Sequence, residues 1–552
     1  MAEYDCFGRT TGVYKPYSDN MIVTPGYQNT PYNPYRDTAT MTRMRYDVLD
    51  RNTWTRLPNA DSTTTAYGFA TLNGKTYQAT TGTDPNGVAT TTLFNTENKP
   101  VITEAPLGAS TSFTYDPLGR LLSSTDPENV VTAYAYDMLG RTTEQSNPDA
   151  GTYRYIYDPS GNMTRMVNPL NDTIKYTYNY NQLTRIKYPV YPENNVRYEY
   201  GTVADTAINA AGRVLMQEDG SGYKAFEYGK MGEVTKETCT LTLPFENQPY
   251  TFTTQYQYDT WGRLLQMTYP DGEVVYYKYD RGGRLQRVYG KSLARIWLPS
   301  GGNRLDSIGP GPQFALVQVQ YPYIDSIYYN PLGLRDSIHY GNGTRTQYTY
   351  DVLDRLAHLA TIDASGDSLQ SITYSFDKAS NITAIANSAT TLSNGLGNIY
   401  SNTYTYDSLY RLTLATGEWG VNAFDYRNAM QYAKNGRITN KNVRATILED
   451  GNTGTVNYDN NYSYSTPSRP DLLTYVGDKF FAWDAAGNLT FAGTNRPRRG
   501  RNLTWTEDNR LIKVTEDLDP QYHSFYRYDA GGERTYKLVY RHKDSRPPYV
   551  FH

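Results

Sequence analysis

Aspartate is the residue that repeats here in a pattern capable of chemistry. It stands second in a phrase of Tyr, Asp, two variable residues and Gly. The phrase is complete at Tyr4-Asp5-Cys6-Phe7-Gly8, and again starting at Tyr115, Tyr136, Tyr157, Tyr258, Tyr279 and Tyr528. Regularly placed carboxylates could act as acid/base pairs or calcium ligands. Each of these, however, falls where a turn needs a side-chain acceptor for the backbone N–H two residues on. They read as turn builders. Glu516-Asp517-Leu518-Asp519 could bind a cation but reads as a solvated turn. His339, His358, His523, His542 and His552 are scattered, with no His-x-x-x-His and no nearby cysteine. Gly8, Gly119 and Gly140 lie between strands, whereas a phosphate cradle needs a helix N-terminus. No nucleophile elbow stands out among the Ser and Thr residues. Cys6 and Cys239 are the two cysteines, which excludes a disulfide framework or a thiolate metal cluster and leaves room for one bond between them. Catalytic, cofactor and metal sites are therefore all expected to be absent, and the chain is not expected to be an enzyme.

The elements that carry the phrase follow from its spacing. Tyr115 to Tyr136, Tyr136 to Tyr157, and Tyr258 to Tyr279 are each 21 residues. Within one unit, Arg120 to Thr125 reads as a strand, Asp126-Pro127-Glu128-Asn129 as a turn, Val130 to Tyr136 as a second strand, and Asp137 to Gly140 as the next turn. Asn147-Pro148-Asp149-Ala150-Gly151, Asn168-Pro169 and Tyr269-Pro270-Asp271-Gly272 supply the same punctuation. Each unit is thus a β-hairpin, and fixed-period repetition means stacked units.

Each position in the phrase has a structural job. The motif residues are Tyr4, Asp5 and Gly8; Tyr115, Asp116, Gly119 and Arg120; Tyr136, Asp137, Gly140 and Arg141; Tyr157, Asp158 and Gly161; Tyr258, Asp259, Gly262 and Arg263; Tyr279, Asp280, Gly283 and Arg284; and Tyr528, Asp529 and Gly532. Gly supplies positive φ without steric penalty. Tyrosines two apart, such as Tyr134 and Tyr136, share a strand face, so stacked hairpins would align them into tyrosine ladders. Arg can lay its stem on a neighbouring ring and offer its guanidinium to carbonyls or to the next Asp. Looser copies start at Tyr46, Tyr178, Tyr228, Tyr329, Tyr350, Phe376, Tyr406, Tyr432, Trp483 and Trp505, giving seventeen candidate units. At Tyr46 and Tyr350 the Gly position is Asp50 and Asp354, a residue that tolerates the left-handed region. Seventeen hairpins at ~4.8 Å per strand make roughly 160 Å of sheet, about one turn of a spiral.

Composition fits thin sheets covered by amphipathic rings. Tyrosine accounts for 56 residues while the apolar fraction is 38%, too poor in aliphatics for one large core. A net charge of −3 with interspersed signs gives no reason to expect nucleic acid as a partner. No stretch approaches the ~18 apolar residues of a membrane-spanning helix. The repeat array is expected over residues 1–545. Weaker or inserted units fall near 201–243 (with a short helical piece around Ala204 to Ala211), 291–318, 380–401 and 417–465, the last two as protruding loops. Residues 546–552 read as an uncapped end, continuing in a longer protein.

The phrase Tyr-Asp-x-x-Gly-Arg-Leu, joined through Asn147-Pro148-Asp149-Ala150-Gly151 to the next Tyr-x-Tyr-Asp, resembles the RHS or YD-repeat family, most strongly over residues 110–190 and 250–290. That family includes bacterial polymorphic toxins, shell components of insecticidal toxin complexes and teneurins. The resemblance implies an all-β fold in which the repeats form a long sheet spiralling into a hollow shell. It also implies a secreted or cell-surface bacterial protein whose shell encloses a toxic C-terminal polypeptide. Its partners would be the remainder of a longer protein or the cargo. No run matches the family's core-associated region, so no protease residues carry over. The second reading is an adhesion module, whose exposed tyrosine faces contact glycans or proteins at a cell surface.

Overall fold

The computed structural model describes residues 2–15, 41–243, 248–297, 314–390, 397–420, 424–449, 452–495, 498–518, 522–541 and 549–551. Among them are 43 strands and three one-turn 3-10 helices. The architecture is all-β. Strands follow one another in sequence and pair antiparallel with their neighbours, as Leu121–Thr125 does with Ser110–Tyr115 on one side and Val131–Tyr136 on the other. The chain divides into two units. One comprises Met1–Arg154, Tyr329–Ser337 and Thr346–Pro497; the other comprises Tyr155–Tyr328, Ile338–Arg345 and Arg498–His552.

Two kinds of turn alternate along the sheet. The phrase turn is closed by Gly140 N–H donating to Asp137 C=O at 3.0 Å, and by Asp137 N–H donating to Arg141 C=O at 3.0 Å. The return turn at the other end of the hairpin has the same form at Asp126 and Asn129. Each phrase turn also introduces a bulge just before the tyrosine, where Ala135 pairs with Glu144 but Tyr136 with Thr142. The one-residue offset belongs to the turn geometry.

Gly140 has φ of 83°, and Asp50 and Asp354 stand in for glycine at φ of 60° and 63°. Replacing Gly140 with Val is expected to cost about 1–3 kcal/mol, because a β-branched residue is strained in that region. Val131, an exposed strand residue, should tolerate Thr with little loss. Urea denaturation midpoints of the two variants check this, and equal midpoints would contradict the turn assignment.

Burial is spread thinly. The buried cluster Ile174, Ile186, Tyr188 and Val196 and the trio Leu243, Tyr536 and Leu538 both belong to the second unit. A pleated sheet one strand thick has few positions removed from water on every side, so its stability rests on ring faces and turn hydrogen bonds.

Several expectations need correcting. Among the described residues, tyrosines do not face one another directly across most strand pairs. Tyr134 faces Gln145, and Tyr256 faces Met267. Tyr276 against Tyr289 is a direct cross-strand stack, with ring centroids 4.9 Å apart. An intervening non-aromatic strand separates most successive rings. The stretch 417–465 is not a protruding loop. It holds Phe424–Tyr432, Ile438–Glu449 and Asn452–Ser463, with Asn440 to Glu449 paired against Asn461 to Asn452. Its Asn and Thr residues sit in a ladder that satisfies their backbone. Similarly, Ile382–Asn387 is a strand in the expected loop 380–401, and Leu285–Trp297 pairs with Phe314–Tyr329 across 291–318. The Gly/Pro clusters at 300–302 and 309–312 lie outside the described residues. The helical piece near 204–211 is a single turn, Thr206–Ile208. At the C-terminal end, Tyr549–Phe551 adds a strand to Arg534–Arg541. Cys6 and Cys239 are both free thiols.

Candidate functional site: the seams between hairpin runs

The phrase turn is a small ion-paired clamp. Asp137 Oδ1 accepts from the backbone N–H of Leu139 and Arg141, both at 2.9 Å, and Oδ2 accepts from Arg141 Nε at 2.6 Å. The same pattern holds at Asp5 with Arg9, Asp116 with Arg120, and Asp259 with Arg263. Asp280 is clamped by Arg284, and at Asp158 Asn162 replaces the arginine.

The arginine also reaches forward to the next unit. Arg120 lies 5.0 Å from the centroid of Tyr136 and donates from Nη1 to the carbonyl of Asp137 at 2.9 Å. Its guanidinium therefore meets its own aspartate's carboxylate and the next aspartate's carbonyl, not the next carboxylate. Tyr136 in turn donates its hydroxyl to Leu121 C=O, as Tyr279 does to Leu264 and Tyr528 to Leu511. Every acceptor lies six residues past the preceding phrase's aromatic. Tyr115 lies under Lys99 Nζ at 5.5 Å, Tyr258 packs on Tyr256 at 6.4 Å, and Tyr4 is largely exposed. Gly8, Gly119, Gly161, Gly262, Gly283 and Gly532 all have positive φ.

Sequence reasoning missed what the turns do next. In each unit, return turns of an earlier run of hairpins meet phrase turns of a later run. The paired residues are 291 to 339 positions apart. The chain thus returns beside itself within each unit, sooner than the single turn estimated for the whole length, because turn edges can bond wherever they meet.

In the first unit, Asn435 Nδ2 donates to Asp126 Oδ2 at 3.0 Å, and Lys434 N–H donates to Glu128 Oε1 at 3.2 Å. Asp471 N–H donates to Asp149 Oδ1 at 3.1 Å, and Arg469 donates to the Asp149 carbonyl. Asn86 Nδ2 reaches Asp377 Oδ2 at 3.0 Å, and Tyr410 donates to Asp84. Tyr410 occupies a glycine position with φ of 60°, a strained backbone for a bulky residue, and its hydroxyl is what crosses the seam. Burial, then the bond to Asp84, pushes that hydroxyl up to about 12.

The second unit repeats the plan. Asn168 Nδ2 donates to Glu507 C=O at 3.1 Å, Tyr188 to Asp508 Oδ2 at 3.0 Å, and Tyr191 N–H to Glu507 Oε1 at 2.9 Å. Lys224 pairs with Asp529 at 2.8 Å, and Ala530 N–H donates to Asp219 Oδ2 at 2.9 Å. Burial alone would neutralise both Lys224 and Asp529. Their direct bond outweighs it, holding Lys224 above and Asp529 below their ordinary values.

Acid should dismantle this system. The carboxyls of Asp5, Asp47, Asp116, Asp137, Asp158, Asp259, Asp280, Asp351, Asp377, Asp407 and Asp529 all titrate below their ordinary range. At Asp137 burial pushes upward, but the hydrogen bonds from Arg141 and Leu139 prevail; at Asp116 the Arg120 backbone N–H is the largest influence. A depressed carboxyl contributes stability above its unfolded value, about 3.9, which is lost as pH falls through the folded one. Asp149 runs the other way: burial, with Asp471 nearby, holds it above the ordinary range, so its ionisation opposes folding as pH rises. Asp205 is lowered too, by hydrogen bonds from Thr202, so twelve groups against one set the sign. Urea midpoints measured across pH should fall steeply below about pH 4, and a flat profile there would contradict the clamps.

Elsewhere, no group of three or more His, Cys, Asp or Glu among the described residues is placed to hold a metal ion. His358 bonds Ser371 at 3.1 Å and His339 packs on Tyr328, while His542, His552 and Asp519 lie outside the described residues. Among the described residues, no helix is long and apolar enough to cross a membrane.

The sequence profile of the RHS repeat matches residues 101–131, 115–152, 136–173, 251–274 and 258–291. The chain carries RHS repeats. A toxin subunit of Yersinia entomophaga, YenC1, is 25% identical over 340 residues, covering 56% of this chain and 32% of that protein. The crystal structure of TcdB2-TccC3 superposes with a TM-score of 0.76 at 19% identity, covering the whole of this chain and 28% of that one. The Photorhabdus luminescens Tc holotoxin pore gives 0.77 at 20% identity, covering 99% of this chain and 27% of the other. The chain spans about a third of its curated relative's length, and its fold is that of the two solved structures.

Proposed function

We propose that this chain is a length of wall in an RHS-type shell that encloses a C-terminal toxin or effector polypeptide for secretion or delivery. One observation carries the reading: in both units a later run of hairpins lies against an earlier one, turn to turn, through a hydrogen-bonded and ion-paired seam. A wall has to close between successive turns, and these seams do so without a globular core. The chain's own residues supply no reacting constellation in this reading. Asp, Gly and Arg build the clamps, tyrosine rings cover the sheet, and the turn edges seal it. A toxin subunit among the relatives supports a delivery role. The partners would be the rest of a longer RHS protein and the enclosed polypeptide.

Electron cryomicroscopy of the full-length protein containing this chain, combined with limited proteolysis, tests the proposal. A hollow particle with internal density, and a C-terminal segment that resists protease until the wall is opened, is the expected result. A solid particle, or a C-terminal segment cleaved at once, would overturn it.

A further inference from the structure

The second unit gathers positive charge on one face of four adjacent strands. Arg165, Lys175, Arg185, Lys187 and Arg197 stand on Met163–Val167, Thr173–Asn179, Gln182–Lys187 and Val196–Tyr200. The sequence spreads them over more than thirty residues, but the strand register sets them opposite one another. Arg165 faces Lys175, Lys175 faces Lys187, and Arg185 faces Arg197. All five are exposed. Like charges directly opposite on neighbouring strands work against the sheet. Three such pairs side by side are a cost that strand pairing itself does not require.

Little of that charge is offset. Arg197 pairs with Glu199 and lies 3.6 Å from Glu218. Arg165, Lys175, Arg185 and Lys187 make no hydrogen bond or ion pair with any described residue. The opposite side of these strands is already packed. Ile174, Ile186 and Val196, each next in sequence to one of the basic residues, are buried there, with Tyr176 and Tyr198 against them. Thr173–Asn179, Gln182–Lys187 and Val196–Tyr200 are each paired on both sides. Further strands of a wall would extend a sheet at its edges, so they would not cover this face.

We infer that the face binds an acidic polysaccharide, a hydroxyl-rich chain bearing carboxylates or sulfates. Arginine forks and lysine ammonium groups supply the complementary charge. Thr177 and Asn179, exposed on the same face as Lys175, add partners for hydroxyl groups. The array is roughly 14 Å across its four strands, and a sheet twists by about 20–25° from strand to strand. A flexible glycan follows that twist, whereas a planar bilayer does not. Tyr176 and Tyr198 lie on the packed side, so unstacked bases find neither ring to lie on. Glycan contact, expected of exposed tyrosine faces, falls here to basic side chains. This goes beyond the shell reading and does not depend on an enclosed cargo.

Calorimetric titration of the whole chain with alginate, dextran sulfate and neutral dextran is the test. Alginate or dextran sulfate should bind with micromolar affinity at low salt and at least about tenfold more weakly at high salt. Neutral dextran should not bind. Either acidic glycan supports the proposal, and the tighter one tells carboxylate from sulfate recognition. Lys175→Gln with Arg185→Gln should weaken binding at least about tenfold. Arg56→Gln with Lys75→Gln, at exposed positions of the first unit, removes the same charge and should leave binding unchanged. Both variants must keep their far-ultraviolet circular dichroism. The urea midpoint of the first should not fall, because it relieves like-charge contacts. Failure of both acidic glycans to bind, binding indifferent to the Lys175 and Arg185 substitutions, or tighter binding of duplex DNA or phosphatidylserine vesicles would overturn the proposal.

Discussion

Replacing Glu507 with Ala is expected to cost about 2–4 kcal/mol, the largest loss from any single truncation in the seams. Glu507 is 2% exposed, and its Oε1 accepts the backbone N–H groups of Val190 and Tyr191 at the start of the 3-10 turn Pro192–Asn194. Truncation leaves both part-buried donors without their acceptor, and an unpaired N–H costs up to about 1–3 kcal/mol where it is buried. Glu507→Gln keeps an acceptor at Oε1 and should recover most of the loss. Urea denaturation of both variants is the measurement. If the Gln variant is as unstable as the Ala variant, the charge and not the acceptor matters, and the seam has been misread.

Asp529→Ala should cost about 3 kcal/mol, near the lower end for breaking a buried ion pair. The aspartate does two jobs at once. Its Oδ1 fixes its own turn through Glu533 N–H at 2.9 Å, and its Oδ2 holds Lys224 of the earlier run at 2.8 Å. The lysine side chain keeps 24% of its surface in water, which softens the penalty for leaving it unpaired. Asp280 makes the same clamp with Arg284, itself 44% exposed. Asp280→Ala should therefore cost clearly less than Asp529→Ala. The difference between the two variants measures what the crossing contact adds to the turn. Equal losses would mean that Lys224 contributes nothing.

The hairpins were legible and the seams were not, for a physical reason. A turn is specified within five residues. Asp137 and Gly140 dictate their own geometry, and the 21-residue beat sets strand and turn boundaries to within a residue. Extra hairpins escaped where the phrase is missing, as between Ser62–Leu72 and Lys75–Thr83, whose turn is the dipeptide Asn73-Gly74. That dipeptide is a strong hairpin signal, and it could have been used. The Asn/Thr-rich stretch 417–465 carries the polarity of a loop and yet forms strands. In a sheet one strand thick, polar side chains pair as readily as apolar ones, as Thr403 does with Thr416 at 2.6 Å.

The seams depend on how many strands pass before the chain comes back beside itself, and no local pattern encodes that count. Lys224 has no signature that points 305 residues ahead to Asp529. Hindsight does find one hint. Return turns of the earlier run are acidic at Asp84, Asp126, Glu128, Asp149 and Asp219, while Asn435, Arg437 and Arg469 supply donors in the later run.

Pairwise cross-linking tests most directly whether distant hairpin runs lie edge to edge. In a Cys6→Ser background, Glu128→Cys with Lys434→Cys probes the first unit, and Glu193→Cys with Arg527→Cys probes the second. Arg527 Nη2 stands 3.8 Å from Glu193 Oε1. A short bis-maleimide should join each pair within a single chain, and digestion followed by mass spectrometry should recover peptides more than 300 residues apart in sequence. Folded, all-β protein that yields neither linked peptide would contradict the seams, and the wall with them.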